Sequence, residues 1–217
     1  MQLGPNLPVG VPSFDLSEDE VETVIALTCQ GAREARANIT PGQLEVPIST
    51  TVRKAMRRVK KQLGLTNLDV RGEHEVDDMA TSDSSLLGRI DITLKFGRQV
   101  GDEDAYVAIE CKRVGAGGAY SQLNGRYVSL GVERFVNGQY AAGHNWGFML
   151  GYVLTLPVQA VIDTIDTRIR KDYGEEAKLS PRAGHQDALA IQDGHLKQKS
   201  GHTIRLCHLF VDMTPAA

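Results

Sequence analysis

Three stretches in the middle of the chain carry the β-branched and aromatic content of strands: LDVRGEHEV (68–76), GRIDITLKF (88–96) and AYVAIECKRV (105–114). Their connectors, DDMATSDSSL and GRQVGDED, are polar and turn-rich, so an antiparallel meander is expected. Side chains along a strand alternate between two faces. In GRIDITL this alternation sets Ile90, Ile92 and Leu94 on one face, and Arg89, Asp91 and Thr93 on the other. In AYVAIECKR it sets Val107, Ile109 and Cys111 against Ala108, Glu110 and Lys112. Pairing the strands by their apolar faces brings Asp91, Glu110 and Lys112 together on the opposite face. A central strand that carries an acid and a base facing the same way is the feature to be explained.

The flanking sequence reads as helices and further strands. Ser17 with Glu20 three residues later forms a capping-box pattern, opening a helix through roughly Ala35 with Val21, Val24, Ile25 and Thr28 inward. A second helix is expected from about Pro47 to Leu63, with Val52, Met56, Val59 and Leu63 facing the core. GAGG at 115–118 ends the third strand, and a helix from about Tyr120 to Val136 follows. FMLGYVLTL (148–156) reads as a strand, and Pro157 opens a helix with Val158, Val161, Ile162, Ile165 and Ile169 as its stripe and Gly174 near its stop. Residues 175–202 read as polar and irregular, and IRLCHLFVDM (204–213) as a last strand. The order α-α-βββ-α-β-α-β predicts an α/β (α+β) domain, a mixed sheet flanked by helices. At 217 residues a single domain is expected, with a helical N-terminal extension over 1–44 and an irregular segment plus final strand over 175–217.

Several function classes drop out. The N-terminus has no charged start before an apolar run, so a secretory signal is not expected. The most apolar stretch, WGFMLGYVLTLPVQAVI, is broken by Gly147, Gly151, Thr155, Pro157 and Gln159, which argues against a membrane span. Three widely spaced cysteines (Cys29, Cys111, Cys207) suggest buried thiols in a reducing cytoplasm. The six histidines lack zinc-ligand spacing, although His185, His195 and His202 could line a substrate channel. The glycine cluster is not a phosphate loop, and no G-x-S-x-G elbow occurs. The net charge of −3 requires any polyanion site to be a local patch. Arg53, Lys54, Arg57, Arg58, Lys60 and Lys61 supply one, without an acid between residues 50 and 63.

Two carboxylates on adjacent strands offer hard oxygen ligands to Mg²⁺ or Mn²⁺, and a lysine beside them can position or help deprotonate water, or balance phosphoryl charge. An E-x-K alone would be read as an ion pair. With Asp91 on the preceding strand and a helix following, the pattern GRIDI and AIECKR resembles the PD-(D/E)XK nuclease superfamily, restriction-endonuclease-like in fold. The resemblance covers roughly residues 45–172, with Ile90 standing where the motif's proline would be. It implies a metal-dependent endonuclease acting on DNA in restriction, defence or repair. Asp91 and Glu110 would then bind Mg²⁺ or Mn²⁺, the Cys111 carbonyl would complete the shell, and Lys112 would serve the water. A further acid is expected from the helix before the sheet; Glu45 is the candidate, with Glu22 and Glu75 as rivals. Arg53, Lys54, Arg57, Arg58 and Lys61 are candidate DNA contacts, and Gln122 and Tyr127 resemble polar positions that some members place near the site. A homodimer or a larger complex is an expected partner state. The alternatives are a non-cleaving nucleic-acid- or protein-binding module of the same fold and an enzyme acting on RNA or a nucleotide.

Overall fold

The computed structural model describes residues 14–77 and 86–214. The Pro/Gly-rich lead and the middle of the connector after the first strand lie outside the described residues. Helix α1 (Glu18–Arg36) starts with the expected capping box: the Ser17 hydroxyl accepts the Glu20 amide at 3.3 Å, and the Glu20 carboxylate accepts the Ser17 amide at 2.9 Å. It buries Val21, Val24, Ile25, Leu27 and Thr28. Helix α2 (Glu45–Gln62) begins earlier than expected, with Leu44 at the N-cap and no side-chain cap bond. Val52, Met56 and Val59 are buried as expected, but Leu63 is the C-cap residue and 48% exposed.

Strands β1 (Leu68–Asp77), β2 (Leu86–Phe96) and β3 (Val107–Val114) form the antiparallel meander. The next helical segment is continuous: α3 (Ser121–Tyr127), a π-helical turn (Val128–Val132) and α4 (Glu133–Val136). Strand β4 (Trp146–Val153) is buried along its whole length, because it runs parallel to its neighbours and both of its faces are covered. Helix α5 (Val158–Tyr173) has Pro157 at its N-cap and stops at Gly174, whose φ of 99° suits a residue without a Cβ. The short β5 (Ser180–Pro181), β6 (Ala190–Lys197) and β7 (Thr203–Asp212) complete the sheet. Among the described residues its order is β1-β2-β3-β4-β7-β6-β5. The fold is thus a mixed α+β sandwich. One apolar cluster lies under α1 and α2, the other under the α3–α4 segment and α5.

The structure corrects two further expectations. Residues 175–202 are not irregular throughout, because β6 lies within them and pairs with β7 from Ala190↔Phe210 to Lys197↔Thr203. Its buried positions include Gln192 on one face and Asp193 on the other, and Asp193 is tolerated there because Arg182 and Arg205 bond its carboxylate at 3.2 and 2.6 Å. That polarity hid the strand. Secondly, Ile90 does not share a face with Ile92 and Leu94. It packs in the α3–α5 cluster, while they pack under α1 and α2. The β2–β3 pairing covers Ile92↔Ile109 to Leu94↔Val107, so simple alternation does not carry through Asp91. No helix among the described residues is long and apolar enough to cross a membrane.

Candidate active site

Continuing the β2–β3 register by two residues would set Cys111 against Ile90. The Asp91 carboxylate instead takes up the Cys111 amide, Oδ2 accepting at 2.8 Å. A β2 side chain thus bonds the β3 backbone just beyond the last paired residues. Glu110, the next residue back on β3, has no exposed surface. Its Oε1 accepts from Lys112 Nζ at 2.6 Å and from an Arg134 Nη at 3.0 Å, while its Oε2 is buried without a partner. Lys112 Nζ also donates to the Cys111 carbonyl at 2.9 Å and to Glu45 Oε1 at 3.0 Å. The other oxygen of Glu45 accepts the Arg113 amide at 3.1 Å. Arg134 in turn contacts the Tyr140 hydroxyl, which donates to the Arg89 carbonyl, so a chain of bonds steadies the guanidinium.

These contacts join two carboxylates, Glu110 and Glu45, to one ammonium, with the Arg134 guanidinium on Glu110 and the Asp91 carboxyl near enough for its charge to act on Lys112. Burial, opposed by Lys112 and the Cys111 amide, pushes the Asp91 carboxyl above its usual range. Burial likewise pushes Glu110 up to about 7, although Lys112 and Arg134 pull against it. For Lys112 burial disfavours the charge, but Glu110, Glu45 and Asp91 outweigh it and raise the pKa, so the ammonium keeps its proton. Burial and the nearby Glu110 carboxylate raise the Tyr140 phenol to about 12, keeping it a donor.

The cluster opens into a cleft of about 380 Å³, whose lining includes Glu45, Lys112, Arg113, Arg126 and Arg134. Two separate elements make its walls, the N-terminus of α2 and the π-turn after α3. Gly131 permits the close approach of that turn: a Cβ there would come within 2.5 Å of Met149 Cε and 3.5 Å of Lys112 Cγ.

Asp91, Glu110 and Lys112 lie close together, although the alternation that was to bring Asp91 there breaks at Ile90, and Glu45 joins Lys112 from α2. Glu45 is engaged with Lys112 and the Arg113 amide. Glu22 pairs with Arg182 and Glu75 with Arg89, in networks that do not include Lys112 or Glu110. Tyr127 is a core residue whose hydroxyl meets His208 Nδ1 at 2.9 Å, and Gln122 is exposed outside the cleft lining. The α2 cations do not line the cleft either. The Arg53 guanidinium lies over Gly72 on β1, Arg57 donates to the Val70 carbonyl at 2.8 Å, and Arg58 pairs with Glu34. Lys54 and Lys61 are solvent-exposed. Sequence reasoning missed Arg113, Arg126, Arg134 and Tyr140. Arg126 and Arg134 share a four-residue spacing with Leu130, which could have marked a common helical face. Nothing local marked Tyr140.

Among the described residues no three His, Cys, Asp or Glu side chains converge as a ready-made metal cluster. The site offers two carboxylates, one with a buried oxygen that lacks a partner, and a backbone carbonyl. This is a hard-oxygen donor set that suits Mg²⁺ or Mn²⁺. Comparison with protein-family models, curated proteins and solved structures gives no match.

Proposed function

We propose that the chain is a Mg²⁺- or Mn²⁺-dependent hydrolase of DNA phosphodiester bonds, of PD-(D/E)XK type. One observation carries this reading: Glu110 is fully buried with an unpartnered oxygen, and it bonds Lys112, which lines a cleft together with Arg113, Arg126 and Arg134. Asp91, Glu110 Oε2 and the Cys111 carbonyl would hold the ion, which supplies Lewis-acid polarisation of the phosphodiester when bound. Lys112, its proton held by three carboxylates, orients water and offsets charge on the phosphoryl oxygens, and does not act as a base. Glu45 fixes the far side of that ammonium. Arg113, Arg126 and Arg134 bring positive charge to the substrate's phosphates. A cytoplasmic setting belongs to the same reading, supported by three free, buried cysteines. A role in restriction, defence or repair, and a dimer for cutting both strands, follow from this activity class.

The test is digestion of plasmid and defined oligonucleotides with and without Mg²⁺. Cleavage should require the metal, and Glu110→Gln and Lys112→Ala should each lower it by roughly 100-fold or more while circular dichroism stays native. Undiminished cleavage by both variants would sink the proposal. A second reading, a non-cleaving nucleic-acid-binding module, is favoured by the way Lys112 and Arg134 close on Glu110 Oε1 as a self-contained ion cluster. It would be chosen if DNA bound tightly without metal and was never cut.

A further inference from the structure

The cleft lining mixes two kinds of side chain. Leu44 (63% exposed), Val46 (56%) and Leu130 (50%) all line it, and each ranks among the large hydrophobic residues left in solvent. Leu44 and Val46 stand at the start of α2, and Leu130 on the π-turn of the opposing segment. Among the described residues neither Arg113 nor Arg126 has a carboxylate partner, although Arg113 donates to the Gln43 carbonyl at 3.3 Å. A cleft that sets exposed aliphatic side chains among arginines calls for a ligand that presents apolar and anionic groups together.

Intact duplex DNA is a poor match. It turns phosphates and sugars outward and stacks its bases away from solvent, so aliphatic walls beside the backbone would meet polar surface. A single strand presents both parts at once: its bases splay and offer apolar faces, while its phosphates stay free to meet guanidinium groups.

We infer that the cleft takes an unpaired strand of nucleic acid, its bases against Leu44, Val46 and Leu130 and its phosphates on Arg113, Arg126 and Arg134. This rests on the nuclease reading of the site and narrows its substrate to single-stranded or locally unpaired DNA. Two exposed surfaces of opposite chemistry then have one occupant. Strand-end fraying, flaps and gaps are the duplex features that would admit such a segment.

The test is fluorescence anisotropy in EDTA, which measures binding without turnover. The probes are a fluorescein-labelled single strand of mixed sequence and the blunt duplex made from it. The single strand should bind at least about tenfold more tightly than the duplex. A Leu44→Ser/Leu130→Ser variant, altered only at exposed positions, should lose about tenfold on the single strand and little on the duplex. Arg126→Ala should weaken single-strand binding and reduce the salt dependence by about one phosphate contact. Duplex binding equal to or tighter than single-strand binding, or no effect of the Leu44→Ser/Leu130→Ser change, overturns the inference and leaves the hydrolase reading to its own cleavage assay. Binding of neither probe, together with absence of cleavage, overturns both.

Discussion

At Glu110 two cations share one carboxylate oxygen, and the other oxygen has no partner. A buried ion pair is weak evidence for stability, yet removing one partner strands the other charge at about 3–5 kcal/mol. This gives a way to separate a structural ion pair from a functional one. Lys112→Met should lower the unfolding free energy by about 3 kcal/mol, less whatever Arg134 still supplies. Adding Glu110→Gln removes the stranded charge and should restore most of that loss, measured by urea unfolding in a double-mutant cycle. Cleavage should stay absent in the double variant although stability returns. If activity recovers together with stability, the pair serves the fold alone. Alternation along β3 made the pairing of Glu110 with Lys112 legible, and it pointed to Asp91 only through a face assignment for Ile90 that the fold does not keep. What alternation could not give was Asp91's bond to the Cys111 amide, because β2 and β3 cease to pair there and Ile90 turns to the other apolar cluster.

Helices and strands were legible where their chemistry follows a simple period. The Ser17 capping box and the apolar run of β4 needed no tertiary information. Strand β6 did, because Asp193 is acceptable inside the fold only through Arg182 and Arg205, which come from outside the strand. The π-turn at Val128–Val132 was likewise invisible, since no residue pattern marks it; Gly131 within it lies close against Met149 and Lys112. Strand β7 carries a further buried polar group, His208, held between Tyr127 of α3 and Gly194 of β6. Its Nε2 has no partner, and burial lowers its pKa to about 3, with nearby Asp193 opposing. The folded state therefore refuses a proton that the unfolded chain accepts below its ordinary value of about 6.5. Above that pH protonation adds no cost, and stability is lost as the pH falls from about 6.5 toward 3, by at most about 1.4 kcal/mol per unit. Between pH 7 and pH 5 the wild type should lose up to about 2 kcal/mol more than His208→Gln in urea unfolding. Equal losses would show that His208 does not drive the acid response.

For the molecule as a whole, the central question is whether α1 is an appendage or part of the domain. The sequence suggested a helical N-terminal extension over 1–44, since the resemblance begins near residue 45. The structure gives α1 a role in the core: Val21, Val24, Ile25 and Leu27 are at most 1% exposed in the cluster under α1 and α2. Ion pairs tie the same helix to distant chain, Arg33 to Asp187 at 2.9 Å, Arg36 to Asp212 at 2.9 Å, and Glu22 to Arg182 at 2.6 Å. Exposed pairs of this kind contribute little individually, so the apolar term decides. At about 1.5–3 kcal/mol per buried side chain, those four residues contribute roughly 6–12 kcal/mol. A domain's whole stability is only about 5–15 kcal/mol. A chain lacking residues 1–36 should therefore lose cooperative unfolding altogether, and not merely shift its midpoint. Urea titration followed by circular dichroism and tryptophan fluorescence tests this, because Trp146 belongs to the cluster that α1 covers. Coincident, sigmoidal transitions in the truncated protein would show that residues 37–217 fold on their own and that α1 is an addition to a complete core.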